Sequence, residues 1–282
     1  MRILILGGNG MIGHMMYKVL SKYHHDTWVI FKKNYNNIIE NNLFNKDKVI
    51  DNFNLCDFTN LNNILENLKP DIIINAAGIT IRRGIELDIS TSIIINSALP
   101  HFLNHWVLKN DKRLIHFSTD CVFSGKDGYY SEISIPDSID IYGRTKTLGE
   151  INSNNSLTIR SSMIGRELEN KTELFEWYLS QKNNIIKGYT NAIYSGITTN
   201  RMAHYILQII NYFPNMCGLF NVSSYSIPKY ELLKIFNNLF KLNIIIEPDE
   251  SYHSNKSLDS SKFYDYTGFI KPNWEELVTD LK

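Results

Sequence analysis

Tyr142 and Lys146 stand four residues apart in the segment Asp140-Ile-Tyr-Gly-Arg-Thr-Lys-Thr-Leu-Gly-Glu150. On a helix, a phenol and an ammonium at that spacing share one face within roughly 6 Å of each other. A free tyrosine, with a pKa near ~10, gives up its proton reluctantly at neutral pH, and an adjacent cation favours the phenolate. The pair can then act as a general acid toward a carbonyl oxygen. The hydroxyl of Thr119, in Phe117-Ser-Thr-Asp-Cys-Val-Phe-Ser-Gly125, is the candidate group to hold that oxygen. Ordinary solvated helix faces show the same spacing, so the assignment needs an independent motif that supplies a reductant.

Such a motif opens the chain: Met1-Arg-Ile-Leu-Ile-Leu-Gly-Gly-Asn-Gly-Met-Ile-Gly13. The apolar run Ile3 to Leu6 reads as a buried parallel strand that runs straight into glycines. Gly7, Gly10 and Gly13 fit GxxGxxG, and Gly8, Gly10 and Gly13 fit GxGxxG equally well. Either pattern makes a tight turn into a helix over Met11 to Leu20, where the backbone of Met11, Ile12 and Gly13 can approach a pyrophosphate that a β-carbon would obstruct. The next strand, Thr27 to Phe31, ends in Lys32 and Lys33, about 19 residues past the last glycine, with no acid before Glu40. An acid there selects NAD and basic residues accommodate the extra phosphate of NADP, so NADPH is favoured, with NADH left open.

The elements that must position these groups alternate. Strands are expected at 48–51, within 71–78, at 113–118 and 156–164, and helices at 60–68, at 90–108 with an interruption near Pro100, and at 140–153. The fold class this predicts is α/β, a Rossmann-type doubly wound parallel sheet with a smaller C-terminal substrate-binding region. The expected organisation is a Rossmann domain for NADP over 1–165, with a return segment near 195–225, and a mostly substrate-binding region over 166–282. Beyond 165 the pattern turns irregular, and Phe175, Trp177, Tyr178, Tyr189 and Tyr194 read as a substrate-covering set.

Composition narrows the function classes. The 29 basic and 29 acidic residues cancel, so no global field would draw nucleic acid or an anionic membrane. No apolar run approaches the ~18 residues of a membrane span, and the N-terminal one lacks the features of a signal peptide. Cys56, Cys121 and Cys217 are scattered, which argues against disulfides and a metal site and for a cytoplasmic location.

Gly7/Gly10/Gly13, Cys56-Asp-Phe-Thr-Asn60, Asn75-Ala-Ala-Gly78, Ser118-Thr-Asp-Cys-Val-Phe-Ser-Gly125 and Tyr142-Gly-Arg-Thr-Lys146 together resemble the extended short-chain dehydrogenase/reductases. Within them the likeness is to the dTDP-4-dehydrorhamnose reductase group of nucleotide-sugar reductases. It extends to Ala192-Ile-Tyr-Ser-Gly-Ile-Thr-Thr199, Ser257-Leu-Asp-Ser-Ser-Lys-Phe263 and Trp274. The resemblance implies that Tyr142 donates the proton, that Lys146 lowers its pKa and binds the nicotinamide ribose, and that Thr119 holds the substrate carbonyl. It also implies that Asp57 and Phe58 flank the adenine, that Ala76, Ala77 and Gly78 line the cofactor, and that Asn96 organises the site. Arg82, Thr119 and Lys187 are the candidate substrate contacts. The implied reaction is reduction by NADPH of the C4 ketone of a nucleotide-linked 4-keto-6-deoxyhexose, or of a UDP-linked N-acetylhexosamine counterpart. The implied partner is that small molecule, and a homodimer is compatible. Two alternatives accompany this reading. Cys121 stands at a position similar to that of the acid/base cysteine of GDP-fucose synthase, which would make the enzyme a bifunctional epimerase/reductase, although no histidine lies between Ile164 and Asn200. The regulatory β-subunit of methionine adenosyltransferase also resembles this family, so a non-catalytic NADP-binding subunit is the other. Lys256, near a position that often carries arginine, leaves nucleotide recognition open.

Overall fold

The computed structural model describes residues 1–38, 41–80 and 88–282. Strand β1 (Ile3–Leu6) is buried along its whole length, as a strand covered by helices on both faces must be. Burying each such aliphatic side chain contributes roughly 1.5–3 kcal/mol. The chain continues through α1 (Met11–Leu20), β2 (Thr27–Ile30), β3 (Val49–Ile50), α2 (Phe58–Leu68) and β4 (Ile72–Asn75). Helix α3 (Ile89–Ile93) passes through a π-helical turn at Ile94–Ala98 into α4 (Leu99–Asn110), followed by β5 (Arg113–Ser118), α5 (Ile141–Leu148), β6 (Ser156–Arg160) and β7 (Met163–Ile164). After these come α6 (Leu174–Ser180), β8 (Ile185–Tyr194), β9 (Ile197–Thr198), α7 (Thr199–Tyr212), β10 (Gly218–Asn221), β11 (Ile227–Pro228) and α8 (Lys229–Phe240). The last elements are β12 (Ile245–Asn255), α9 (Ser261–Thr267) and α10 (Trp274–Thr279).

Seven strands form one sheet in the order β10-β6-β5-β4-β1-β2-β3, with every neighbouring pair parallel. The chain is therefore an α/β protein with a doubly wound, Rossmann-type sheet. The order reverses between β1 and β4, and in such sheets the crevice outside the carboxyl ends at the reversal is where ligands bind. Among the described residues no helix is long and apolar enough to cross a membrane.

Two sequence expectations need correction. Residues beyond 165 are regular, carrying α6 to α10, the three-stranded sheet β11-β8-β12, the strand β9 that pairs with β7, and β10. Their aromatic residues obscured the periodicity because several belong to the core: Phe175 and Tyr178 are fully buried and pack on Phe236, with ring centroids 5.4 and 5.1 Å away. One hydrophobic cluster runs from Ile3 through Phe175 and Phe236 to Trp274, so the C-terminal region packs directly on the sheet. The helix expected over 140–153 ends at Leu148 with Gly149 as its C-cap, a position where a β-carbon would be 1.9 Å from the Asn96 carbonyl oxygen. The interruption expected in the long helix near Pro100 is present as the π-helical turn Ile94–Ala98, which ends just before that proline.

Candidate active site

At the carboxyl edge of β1 and β4 lies a groove of two adjoining chambers, about 140 Å³ and about 600 Å³, which share Asn9, Gly10, Ala76, Ala77, Gly78, Thr80, Glu169 and Asn170 in their walls. The glycine turn forms the floor between them. Gly7 has φ +76°, and a β-carbon there would lie 2.8 Å from the Ala77 Cα, so the fold alone demands glycine. Gly13 is likewise pressed on the Gly7 carbonyl. Gly10 differs: its β-carbon would meet only the Gly7 carbonyl oxygen, at 3.2 Å, and its other side borders both chambers. Helix α1 starts there with no side-chain cap and no acid in its first turn, leaving the first amides of the helix, at Met11, Ile12 and Gly13, to meet an anion. Met11 and Ile12 line the smaller chamber.

The smaller chamber also holds Tyr142 and Lys146, one turn apart on α5, with Phe117 and Ser118 from the end of β5. Lys146 is buried, and its Nζ donates to the Phe117 carbonyl at 2.6 Å. Burial holds its pKa down to about 8, opposed by the charge of Glu150. Burial also pushes the Tyr142 phenol well above its ordinary range, reinforced by Cys121 and opposed by a hydrogen bond with the Thr119 side chain. Burial dominates the shift of the phenol, and Lys146 is not among its main causes. The lysine is turned down onto a strand carbonyl, and desolvation outweighs any cation effect on the phenol. The dyad is braced from behind by a buried ion pair: Arg160, 2% exposed, donates from Nε and Nη2 to the two oxygens of Glu150, each at 2.7 Å, and Ser118 Oγ donates to the same carboxylate. Breaking such a pair by removing one partner costs about 3–5 kcal/mol.

Thr119 is buried; its Oγ1 accepts from the Cys121 amide at 3.1 Å and donates to Asp120 Oδ1 at 3.2 Å. Asp120, which the sequence reading passed over although it lies inside the same motif, is buried, and desolvation raises its pKa against the nearby charges of Lys256 and Lys229. Burial, then the charge of Asp120, pushes the Cys121 thiol up to about 12. A base needs the thiolate, and at neutral pH this thiol keeps its proton.

Lys32 and Lys33 line the larger chamber, beside Phe53, Asn54, Leu55 and Cys56. Lys33 forms a hydrogen-bonded ion pair with Glu169, which offsets its charge. Asp57 and Phe58 lie just outside that wall. Asp57 caps α2 by accepting from the Asn60 amide at 3.0 Å, and Phe58 stacks on Phe102 with centroids 4.8 Å apart. Asn96, in the π-helical turn, spends its amide on the protein. It accepts from the Ile79 amide at 2.9 Å and donates to the Ile79 carbonyl at 2.9 Å and to Thr145 Oγ1 at 3.1 Å, tying the segment after β4 to α5. The structure does not bring Lys187 to the groove; it points out from β8 with its side chain 72% exposed, 4.0 Å from Asp249. Arg82 lies outside the described residues. Among the described residues no cluster of His, Cys, Asp and Glu could hold a metal ion.

The sequence reading also missed the stretch between β7 and α6, where Glu167, Leu168, Glu169, Asn170 and Glu173 line the smaller chamber and Glu169 and Asn170 the larger one. Its density of carboxylates within Arg166-Glu-Leu-Glu-Asn170 was the available signal.

Comparison with known proteins agrees with this geometry. The dTDP-4-dehydrorhamnose reductase of Aggregatibacter actinomycetemcomitans is 29% identical over 150 residues, covering 53% of this chain and 45% of that protein. The chain thus spans about half the length of the first curated relatives it matches. A solved structure of a hypothetical dTDP-4-dehydrorhamnose reductase from Sulfolobus tokodaii superposes with a TM-score of 0.81 at 26% identity, covering 100% of both chains. The dTDP-4-dehydrorhamnose reductase of Bacillus anthracis, solved in complex with NADP, has a TM-score of 0.80 at 20% identity, covering 99% of this chain and 97% of that one, and shares the fold. The family profile described as RmlD substrate binding domain matches residues 1–185, and with the parallel sheet, the glycine turn and the Tyr142/Lys146 helix in place, the chain belongs to that family of extended short-chain dehydrogenase/reductases.

Proposed function

We propose that the protein is an NADPH-dependent reductase of the C4 ketone of a nucleotide-linked 4-keto-6-deoxyhexose, dTDP- or UDP-linked. The observation that carries this reading is the joining of two motifs in one groove: an uncapped helix start behind Gly10, and a chamber walled by Tyr142 and Lys146. The groove fits a dinucleotide, because the β-carbon missing at Gly10 leaves room beside the first amides of α1. The NADP complex of the Bacillus anthracis reductase supports the choice of cofactor. When bound there, the nicotinamide supplies a hydride to the ketone carbon.

The chain's own residues supply the proton and the orientation. A phenol whose pKa is raised by burial stays protonated at neutral pH, which is the form needed to protonate an alkoxide. Lys146, with a pKa near 8, is still mostly charged at pH 7 and is the buried cation in the chamber where the phenolate forms. Thr119, which shares a hydrogen bond with the phenol, holds the carbonyl oxygen once its proton turns from Asp120, and residues from 166 onward cover the sugar. The high pKa of the Cys121 thiol supports reduction without epimerisation.

The test is NADPH consumption with purified dTDP- and UDP-linked 4-keto-6-deoxysugars, followed by NMR of the product. Oxidation of NADPH with formation of a C4 alcohol is expected. Tight NADPH binding with no turnover on any ketosugar would favour a non-catalytic subunit instead.

A further inference from the structure

The stretch between β7 and α6 brings Glu169 onto the end of β2, 136 positions from its partner Lys33. The Glu169 side chain is 9% exposed and lines both chambers. Its Oε2 takes Lys33 Nζ, while Oε1 is buried and has no hydrogen-bond partner among the described residues. A desolvated carboxylate oxygen left unsatisfied is rare in folded proteins and marks a place where a donor is expected. Lys32, the other cation of the pair, lies in the field of Asp88, a carboxylate that also lines the larger chamber. Both lysines that the sequence offered to an extra phosphate therefore have acidic neighbours.

A dinucleotide whose pyrophosphate rests on the start of α1 places its adenosine ribose just beyond the end of β2, which is where Lys33 and Glu169 meet. We propose that Glu169 is a dinucleotide-binding and specificity residue. It accepts the ribose-hydroxyl hydrogen bond that NAD-binding folds take from an acid directly after the second strand, and it neutralises Lys33. The preference for NADP over NAD is thereby narrowed, because the positive charge available to a 2′-phosphate is reduced. This inference rests on the dinucleotide reading of the groove.

Equilibrium binding of NADP⁺ and NAD⁺, which needs no turnover, tests it in the unaltered protein and in Glu169→Gln, Lys33→Met and the double variant. Removing the Glu169 charge frees Lys33, so Glu169→Gln is expected to raise the ratio of NADP⁺ to NAD⁺ affinity by about fivefold or more, the scale of one unscreened charge near a phosphate. Lys33→Met, which leaves the carboxylate alone, lowers that ratio, and the double variant recovers NADP⁺ binding relative to Lys33→Met. A ratio within about twofold of the unaltered protein in Glu169→Gln overturns the proposal. Should that variant fail to fold, Lys33→Met decides, its side chain being 54% exposed: an unchanged ratio there overturns the proposal equally. Absence of binding by either dinucleotide to the unaltered protein overturns the reading of the groove and the inference with it.

Discussion

The two chambers of the groove are built on opposite electrostatic plans. The smaller, about 140 Å³, holds Tyr142 and Lys146 so dry that burial dominates the titration of both. The larger, about 600 Å³, sets its cations against carboxylates, Lys33 on Glu169 and Lys32 near Asp88. Desolvation of two neighbours on one helix fixes which protons are available for chemistry, whereas charge pairing across the chain adjusts which ligand is held. The first can be built from a short motif; the second needs the folded molecule.

The contrast can be broken most forcefully at the small chamber. Tyr142→Phe is expected to lower kcat by about 10²- to 10⁴-fold, the usual worth of a positioned proton donor, with NADP⁺ affinity largely kept in a binding titration. A parallel loss of binding would mean that the phenol holds the ligand and does no more. Next comes the floor shared by both chambers. Gly7→Ala forces a β-carbon against Ala77 at φ +76° and should destabilise the fold by about 1–3 kcal/mol, seen as a lower Tm. Gly10→Ala should leave Tm almost unchanged while weakening dinucleotide binding about tenfold or more, since its β-carbon intrudes on space left for the phosphates. If both variants fall in Tm alike, Gly10 is structural.

A smaller effect is set by pH. Lys146 loses its ammonium as pH rises through about 8, so kcat should fall on the alkaline side with that midpoint, and Lys146→Met should be slow with no such limb. The folded-state pKa is lowered, from 10.5 to about 8, so the unfolded chain binds more protons across that window. The Lys146 contribution to stability therefore rises with pH between those values, and denaturation of Lys146→Met should lack that rise. The smallest change is expected at Cys121: Cys121→Ser should keep turnover within about threefold, because a thiol with a pKa near 12 serves no base role at neutral pH. Solvent deuterium appearing at C3 or C5 of the product would instead revive the epimerase reading.

The sequence made the small chamber legible because each of its parts is local. A strand running into glycines, and a tyrosine and lysine one helical turn apart, are set by the backbone within a few residues. The doubly wound sheet was legible for the same reason, through alternating short apolar runs and amphipathic stretches. What stayed hidden depends on contacts between distant segments. Glu169 reaches Lys33 only after the sheet and the stretch beyond β7 are assembled, so Lys32 and Lys33 read as an uncompensated pair. Likewise the Lys146 ammonium finds the Phe117 carbonyl on β5, a partner that no helix spacing reveals. The regular structure past 165 was masked because core aromatics such as Phe175 and Tyr178 look the same in sequence as residues waiting for a ligand.

The most direct test of the central claim is a single-turnover reaction of NADPH carrying deuterium at the transferable C4 position with a dTDP- or UDP-linked 4-keto-6-deoxyhexose, run with Tyr142→Phe beside the unaltered protein. Deuterium at C4 of the sugar alcohol from the unaltered protein, and almost none from a Tyr142→Phe variant that still binds NADP⁺, is the expected result. Label appearing at the same rate from both proteins, or a C4 alcohol formed without label, would contradict the account.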